Sequence, residues 1–205
     1  MVVSSLDIAG PNIYLLNGPN MIGLAKDITG STTTGFLDSL GTTGAFSWQS
    51  AGLQDGYNRG RFVAHDNNHI QIPGEGYFVL GESLDQTLST SLTTDPDIID
   101  LTDPTAPITL QPGWNIISNP YPAPILLSDL MVQKDGGLEI TWSEASASQW
   151  VLNGIYYFEG TDWGSQYASE SAGGDPDAVL TPWLSYWLYL KVDDGATYQL
   201  IFSKP

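Results

Sequence analysis

Cysteine is absent from this chain, so there is no disulfide framework, no thiolate metal site and no cysteine nucleophile. Cations are nearly as scarce, with 6 Lys and Arg against 23 Asp and Glu, a formal net charge of −17. That field repels a phosphate backbone. With no cluster of Lys or Arg to override it, neither nucleic acid nor anionic lipid is an expected partner. No apolar run reaches the roughly 18 residues of a membrane-spanning helix, so membrane insertion is not expected either. The opening residues, Met1-Val2-Val3-Ser4-Ser5-Leu6-Asp7, lack the basic and apolar regions of a signal peptide, and Met1 reads as an added start codon on a module cut from a longer exported protein.

What is present describes a folded β protein. Hydrophobic residues at 41% exclude disorder, and 22 Gly and 13 Pro spread along the chain punctuate many short strands. The chain also repeats itself. Gly18-Pro19-Asn20-Met21-Ile22-Gly23 is answered by Gly113-Trp114-Asn115-Ile116-Ile117-Ser118, and Pro73-Gly74-Glu75-Gly76-Tyr77-Phe78-Val79-Leu80 by Pro182-Trp183-Leu184-Ser185-Tyr186-Trp187-Leu188-Tyr189. Between its two motifs the second copy is longer by about 14 residues.

The expected architecture is all-β: two homologous tandem sandwich- or barrel-like repeats, packed with a pseudo-twofold relation and carrying one short helix each. Residues 1–93 form the first repeat, 94–107 a Pro- and Asp-rich linker, and 108–205 the second repeat, with an aromatic-bearing insertion near 159–176. The helices are expected after Ser31 to Thr34, over Phe36 to Leu40, and over Leu126 to Met131 with Ser128 as cap. Ser50 to Gly60 reads as a Gly-rich loop. Trp150 is matched to Trp48, and the Tyr156-Tyr157 segment to Tyr57.

Leu110-Gln111-Pro112-Gly113-Trp114-Asn115-Ile116-Ile117-Ser118-Asn119-Pro120, followed by an aromatic closing strand, resembles the PGWN-type repeats of large secreted or surface bacterial proteins, which often stand beside carbohydrate-active or anchoring modules. The first copy departs from that pattern, with Pro19 in the place of Trp114 and Leu24 in that of Asn119. The resemblance implies an exported accessory module, extracellular or at the cell surface, and implies no activity. Gly113, Trp114 and Asn115 themselves read as scaffold: a glycine before this pair suits a turn with positive φ.

Aromatic rings are the feature closest to a function, with 7 Trp and 10 Tyr in a chain poor in lysine. Flat rings stack on the apolar faces of sugars, and their polar edges bond hydroxyls. Along Trp183 to Leu190, alternation puts Leu184, Tyr186, Leu188 and Leu190 on a core face and Trp183, Ser185, Trp187 and Tyr189 on the other. That second face is either an aromatic platform or the other side of a strand buried on both faces. Trp163 lies in the polar insertion between Asp162 and Gly164. Tyr157, Trp150 and Tyr167 would complete a groove there, with Glu159, Asp162 and Gln166 bonding hydroxyls. Trp48 and Tyr57 are the corresponding pair of the first copy.

Other chemistry is thinly supplied. His65-Asp66-Asn67-Asn68-His69 has a metal-like spacing but suits a polar hairpin tip equally well. Asp95, Asp97, Asp100 and Asp103 offer oxygens for Ca²⁺ without the EF-hand loop pattern. No Ser-His-Asp arrangement is recognisable, whereas a glycosidase needs only two carboxylates at a suitable separation. The expected function is therefore a non-catalytic carbohydrate-binding module for a plant-type polysaccharide such as cellulose or another β-glucan, attached to a larger secreted protein. The alternatives are a structural or adhesion module of a bacterial surface protein, and a glycoside hydrolase or lyase.

Overall fold

The computed structural model describes residues 13–15, 18–23, 44–54, 57–66, 68–69, 72–81, 86–88, 107–121, 123–159, 166–171 and 178–203. These residues are mostly β, every sheet is antiparallel, and there is one short α-helix. In chain order the first half contributes β1 (Ile13–Leu15), β2 (Gly18–Gly23), β3 (Ala45–Gln54), β4 (Tyr57–His65), β5 (Gly76–Gly81) and β6 (Gln86–Leu88). The second half contributes β7 (Ile108–Leu110), β8 (Gly113–Ser118), β9 (Ile125–Leu126), β10 (Leu130–Lys134), β11 (Glu139–Thr141), helix α1 (Trp142–Ala147), β12 (Gly154–Glu159), β13 (Gln166–Ser171), β14 (Val179–Leu180), β15 (Ser185–Leu190) and β16 (Tyr198–Phe202).

Strand order and register follow the sequence match closely. The first half orders its sheet β2-β5-β3-β4, and the second orders one of its sheets β8-β15-β12-β13. In the first, Gly18 pairs with Gly81 and Gly23 with Gly76; in the second, Gly113 pairs with Leu190 and Ser118 with Ser185, which are the matched positions. The next pairing out, Phe46 with Phe78, has its counterpart in Tyr156 with Trp187. The β1–β6 ladder likewise corresponds to β7–β16, with Ile13 on Leu88 and Ile108 on Leu200. Strand β3, which carries Trp48, and strand β12 hold the same place in their sheets, and Trp150 precedes β12.

Two layers of the second half enclose the main core. Ile117, Tyr186, Leu188, Leu190 and Ile155 from the β8-β15-β12-β13 sheet meet Leu130, Val132, Leu200 and Phe202 from the β11-β10-β16-β7 sheet, and Trp142 and Ala145 of α1 close one side. Alternation sends the intervening residues of β8 and β15, Ile116 and Trp187, to the opposite face. There they meet Met21 and Phe78 of the first half in a second buried cluster. The β8-β15 ladder is thus covered on both faces, which is why β15 reads as almost unbroken apolar sequence. Of the four residues expected on its core face, Leu184 departs: it lies just before β15 and is exposed.

Hydrogen bonds cross this seam in matched pairs. Gly23 N–H donates to the Trp183 carbonyl at 3.0 Å, and Ser118 N–H to the Gly74 carbonyl at 2.6 Å. Of the isolated bridges, Ile22 with Leu184 and Ile117 with Glu75 cross the seam, again the same two positions with the halves exchanged. Gly74 and Trp183 share a left-handed backbone, at φ 89° and 70°, so the second half holds an indole in a conformation that favours glycine.

Several local expectations change. Leu127–Asp129 is a single 3-10 turn whose cap, Leu126, makes no side-chain bond, so Ser128 caps nothing. The α-helix lies instead at α1, started by a capping box in which Thr141 Oγ1 accepts from Glu144 N–H and the Glu144 carboxylate accepts from Thr141 N–H. Ser50 to Gly60 is mostly strand, the β3–β4 hairpin, and part of the 159–176 insertion is strand β13. Gly113 has the positive φ that its turn required, 92°, and the Asn115 side chain pins that turn to Gln111 through two bonds of 2.8 Å. The expected helix at 36–40 and the linker acids Asp95, Asp97, Asp100 and Asp103 lie outside the described residues.

Candidate aromatic groove at the seam

At the seam lies a groove of about 630 Å³ lined by Trp48, Phe62, Trp114, Leu152, Tyr156 and Trp187. Each ring is set by a strand. Trp48 and Phe62 are direct partners across β3 and β4, with ring centroids 5.1 Å apart. Tyr156 and Trp187 are direct partners across β12 and β15. Trp187 joins the two sides, meeting Trp48 at 5.3 Å and Phe62 at 6.5 Å, while Trp114 on β8 packs edge-on to Tyr156 at 5.7 Å and to Trp187 at 6.1 Å. Near-perpendicular contacts of this kind are the favoured arrangement for rings with negative faces and positive edges.

The Trp48 indole lies across Gly60, where any β-carbon would overlap it, so Gly60 is required for this ring position. Its indole N–H is buried with no hydrogen-bond partner among the described residues. Phe62 is 49% exposed and forms the lip. The lining carries no charged side chain, a neutral patch on a chain of net charge −17.

The expected site residues divide sharply around this groove. Trp48 and Trp187 line it. Trp187 is only 9% exposed, however, and Trp183 is buried at 5%, so the expected open platform on β15 does not form: the first half covers that face. Trp150 and Tyr157 pack instead against the second-half core, Trp150 edge-on to Tyr198 at 5.4 Å and Tyr157 edge-on to Tyr186 at 5.8 Å. Glu159 and Gln166 pair at the end of the β12–β13 hairpin. Tyr57 begins β4. Asp162 and Trp163 lie outside the described residues. Phe62, Tyr156 and Trp114 line the groove without having been singled out. Alternation marks each as one face of a strand, but only the pairing of distant strands brings them together.

A second cluster occupies the opposite face of the first-half sheet. Tyr77 Oη donates to Glu75 Oε2 at 3.2 Å, accepts from the Ile72 backbone N–H, and lies 3.4 Å from His69 Nε2. The His69 ring stacks on His65 with centroids 3.6 Å apart, and His65 Nε2 lies 2.8 Å from Ser47 Oγ. Burial lowers the pKa of His65, with Asp66 opposing. Burial first and the neighbouring His65 second push His69 down to about 4, again against Asp66. Burial pushes the Glu75 carboxyl up, with the Tyr77 hydrogen bond opposing. Near-parallel stacked imidazoles aim their lone pairs side by side, whereas two histidines on one metal must converge on a point. The metal-like spacing thus yields a stack and no chelate.

The chain matches no protein family, no curated protein and no solved structure.

Proposed function

We propose that this chain is a non-catalytic carbohydrate-binding module built from two copies of one β unit related by a pseudo-twofold axis. The groove at their junction would take the apolar face of a neutral polysaccharide chain, a plant-type β-glucan being the leading candidate. The observation that carries this reading is the convergence of five aromatic rings from both halves on one groove that also has an exposed lip at Phe62. Stacking on Trp48, Phe62 and Tyr156 supplies affinity. Glu159 and Gln166 pair at the end of β12 and β13, and these two, with Asp162 and Trp163 between them in the sequence, are assigned the hydroxyl contacts and an outer ring. In this reading the module serves an exported protein, outside the cell or on its surface.

Affinity gel electrophoresis against a panel of polysaccharides tests the proposal: retardation is expected on a neutral β-glucan and should vanish in Phe62→Ala. Migration unaltered by every glycan would discard it.

The burial of Trp142, Trp183 and Trp187 favours a second reading, a structural or adhesion module whose rings serve packing alone. Acrylamide quenching separates the two. A fluorescence component that glycan protects from the quencher belongs to the first reading, whereas indoles equally shielded with and without glycan belong to the second.

A further inference from the structure

The matched turns before β5 and β15 share one device and differ in one respect. In the second half, Thr181 N–H donates to Tyr186 Oη at 2.8 Å; in the first, the matched Ile72 N–H donates to Tyr77 Oη. The device is complete in the second half with Thr181, Pro182, Trp183 and Leu184, none of which titrates near neutral pH. The first half adds Glu75 where Leu184 stands and sets His69 against the same hydroxyl. These groups are therefore not needed to form the turn.

Their position gives them a consequence. Glu75 bridges to Ile117 across the seam, its carbonyl accepts from Ser118 Oγ at 2.7 Å, and the preceding Gly74 carbonyl accepts from Ser118 N–H. The titratable cluster thus sits directly behind the backbone that ties the two halves together. With its proton given to Glu75, Tyr77 Oη is left to accept from Ile72 N–H and from His69 Nε2 in the tautomer that carries its proton there.

We propose that the stacked His65–His69 pair, coupled through Tyr77 to Glu75, is a proton-responsive latch on the seam. Two imidazolium rings at stacking distance repel one another. Charging the pair drives His69 away from Tyr77, frees the Glu75 side chain and loosens the 72–76 turn that holds Ile117 and Ser118. The groove lined by Trp48 and Trp187 then opens, while the second-half core stays closed. Among the described residues the groups facing the stack are Asp66 beside it, Ser47 on β3, and Tyr77 and Glu75 on and before β5; β2 presents no titratable side chain. Asp66 favours the charged rings, and it also accepts from Asn68 N–H at 2.8 Å. The latch concerns the seam itself and stands whether or not the groove binds a glycan.

The chain has 2 histidines, so its imidazole proton resonances can be assigned by inspection. The test follows those resonances, tryptophan emission and near-ultraviolet circular dichroism of the intact chain from pH 7.5 to about 3.5. Both imidazoles are expected to titrate below the ordinary 6.5, and the loss of aromatic signal should track them while the far-ultraviolet spectrum holds. His65→Asn/His69→Asn is expected to abolish that step. An unaltered step in this variant overturns the proposal. Should the variant not fold, the wild-type titration still decides: normal imidazole midpoints, or an aromatic step that does not coincide with them, overturn it equally.

Discussion

Gly23 and Ser118 occupy matched strand ends and meet across the seam so closely that only one of them can bear a side chain: a β-carbon on Gly23 would overlap Ser118 Cβ. Gly76 stands in the same relation to Ser185, which is again its matched residue. Gly23→Ala is therefore expected to destabilise the fold by about 1–3 kcal/mol through overpacking. Adding Ser118→Gly should recover part of that loss, less the hydrogen bond from Ser118 Oγ to the Glu75 carbonyl. Urea unfolding of the two single variants and the double variant measures the coupling, and strict additivity would contradict the contact.

Trp183 sets backbone strain against burial. An indole at φ 70° costs roughly 1–2 kcal/mol relative to glycine, whereas removing a buried tryptophan side chain costs about 3–5 kcal/mol. Burial wins. Trp183→Gly should be destabilised overall, by less than Trp142→Ala, where the removed ring is fully buried and no strain is relieved. Thermal denaturation of both ranks them.

Substitutions in the groove should separate binding from folding. Phe62→Ala removes the exposed lip and is expected to weaken glycan binding at least tenfold, about 1.4 kcal/mol, with a partial loss of stability from its ring contacts to Trp48, Phe78 and Trp187 that leaves the chain folded under the binding conditions. Gly60→Ala should instead displace the Trp48 ring and reduce both stability and affinity. Calorimetry with a soluble oligosaccharide and parallel urea curves distinguish the two patterns.

The capping box makes a narrower prediction. Thr141→Ala removes the acceptor for Glu144 N–H and should cost about 1 kcal/mol, whereas Thr141→Ser keeps it and should cost less. Urea midpoints for the pair check it.

Global stability should fall with acid over a window set by the histidines. Their folded-state pKa values lie below the unfolded 6.5, so the unfolded chain takes up protons first. The stability they confer is complete above pH 6.5 and is lost as pH falls toward about 4, the value for His69. Glu75 acts with the opposite sign, because its raised pKa makes the folded state the better proton acceptor. Glu75→Gln should therefore steepen the loss on acidification, as read from urea midpoints at successive pH values.

The strands were legible in the repeated motifs, since Gly18–Gly23, Gly113–Ser118 and the segments after Pro73 and Pro182 all carry short apolar runs behind turn residues. That β2 pairs with β5 and β8 with β15 was not, because each pair is separated by more than fifty residues of chain. Alternation along β15 also separated Trp187 from Tyr186 correctly. It could not say whether the Trp187 face met water, because Met21 and Phe78, which cover it, come from the far half of the chain. Trp114 was read as scaffold alone for the same reason, since its partners Tyr156 and Trp187 are remote in sequence. The α1 helix was missed although Thr141-Trp142-Ser143-Glu144 spells its capping box; at six residues it is too short to show a helical period.

Gly23 and Gly76 are partners at the end of β2 and β5, and Ser118 and Ser185 at the end of β8 and β15, so the two glycine–serine contacts lie side by side at one point of the seam and give the joint a polarity. Two second halves brought together in the same way would oppose serine to serine at both places, and the backbones could not approach. Two first halves would oppose glycine to glycine and leave gaps. Glycine against serine is the pairing that suits this close approach, so a chain built from two copies of either half is expected to pack less well at this point.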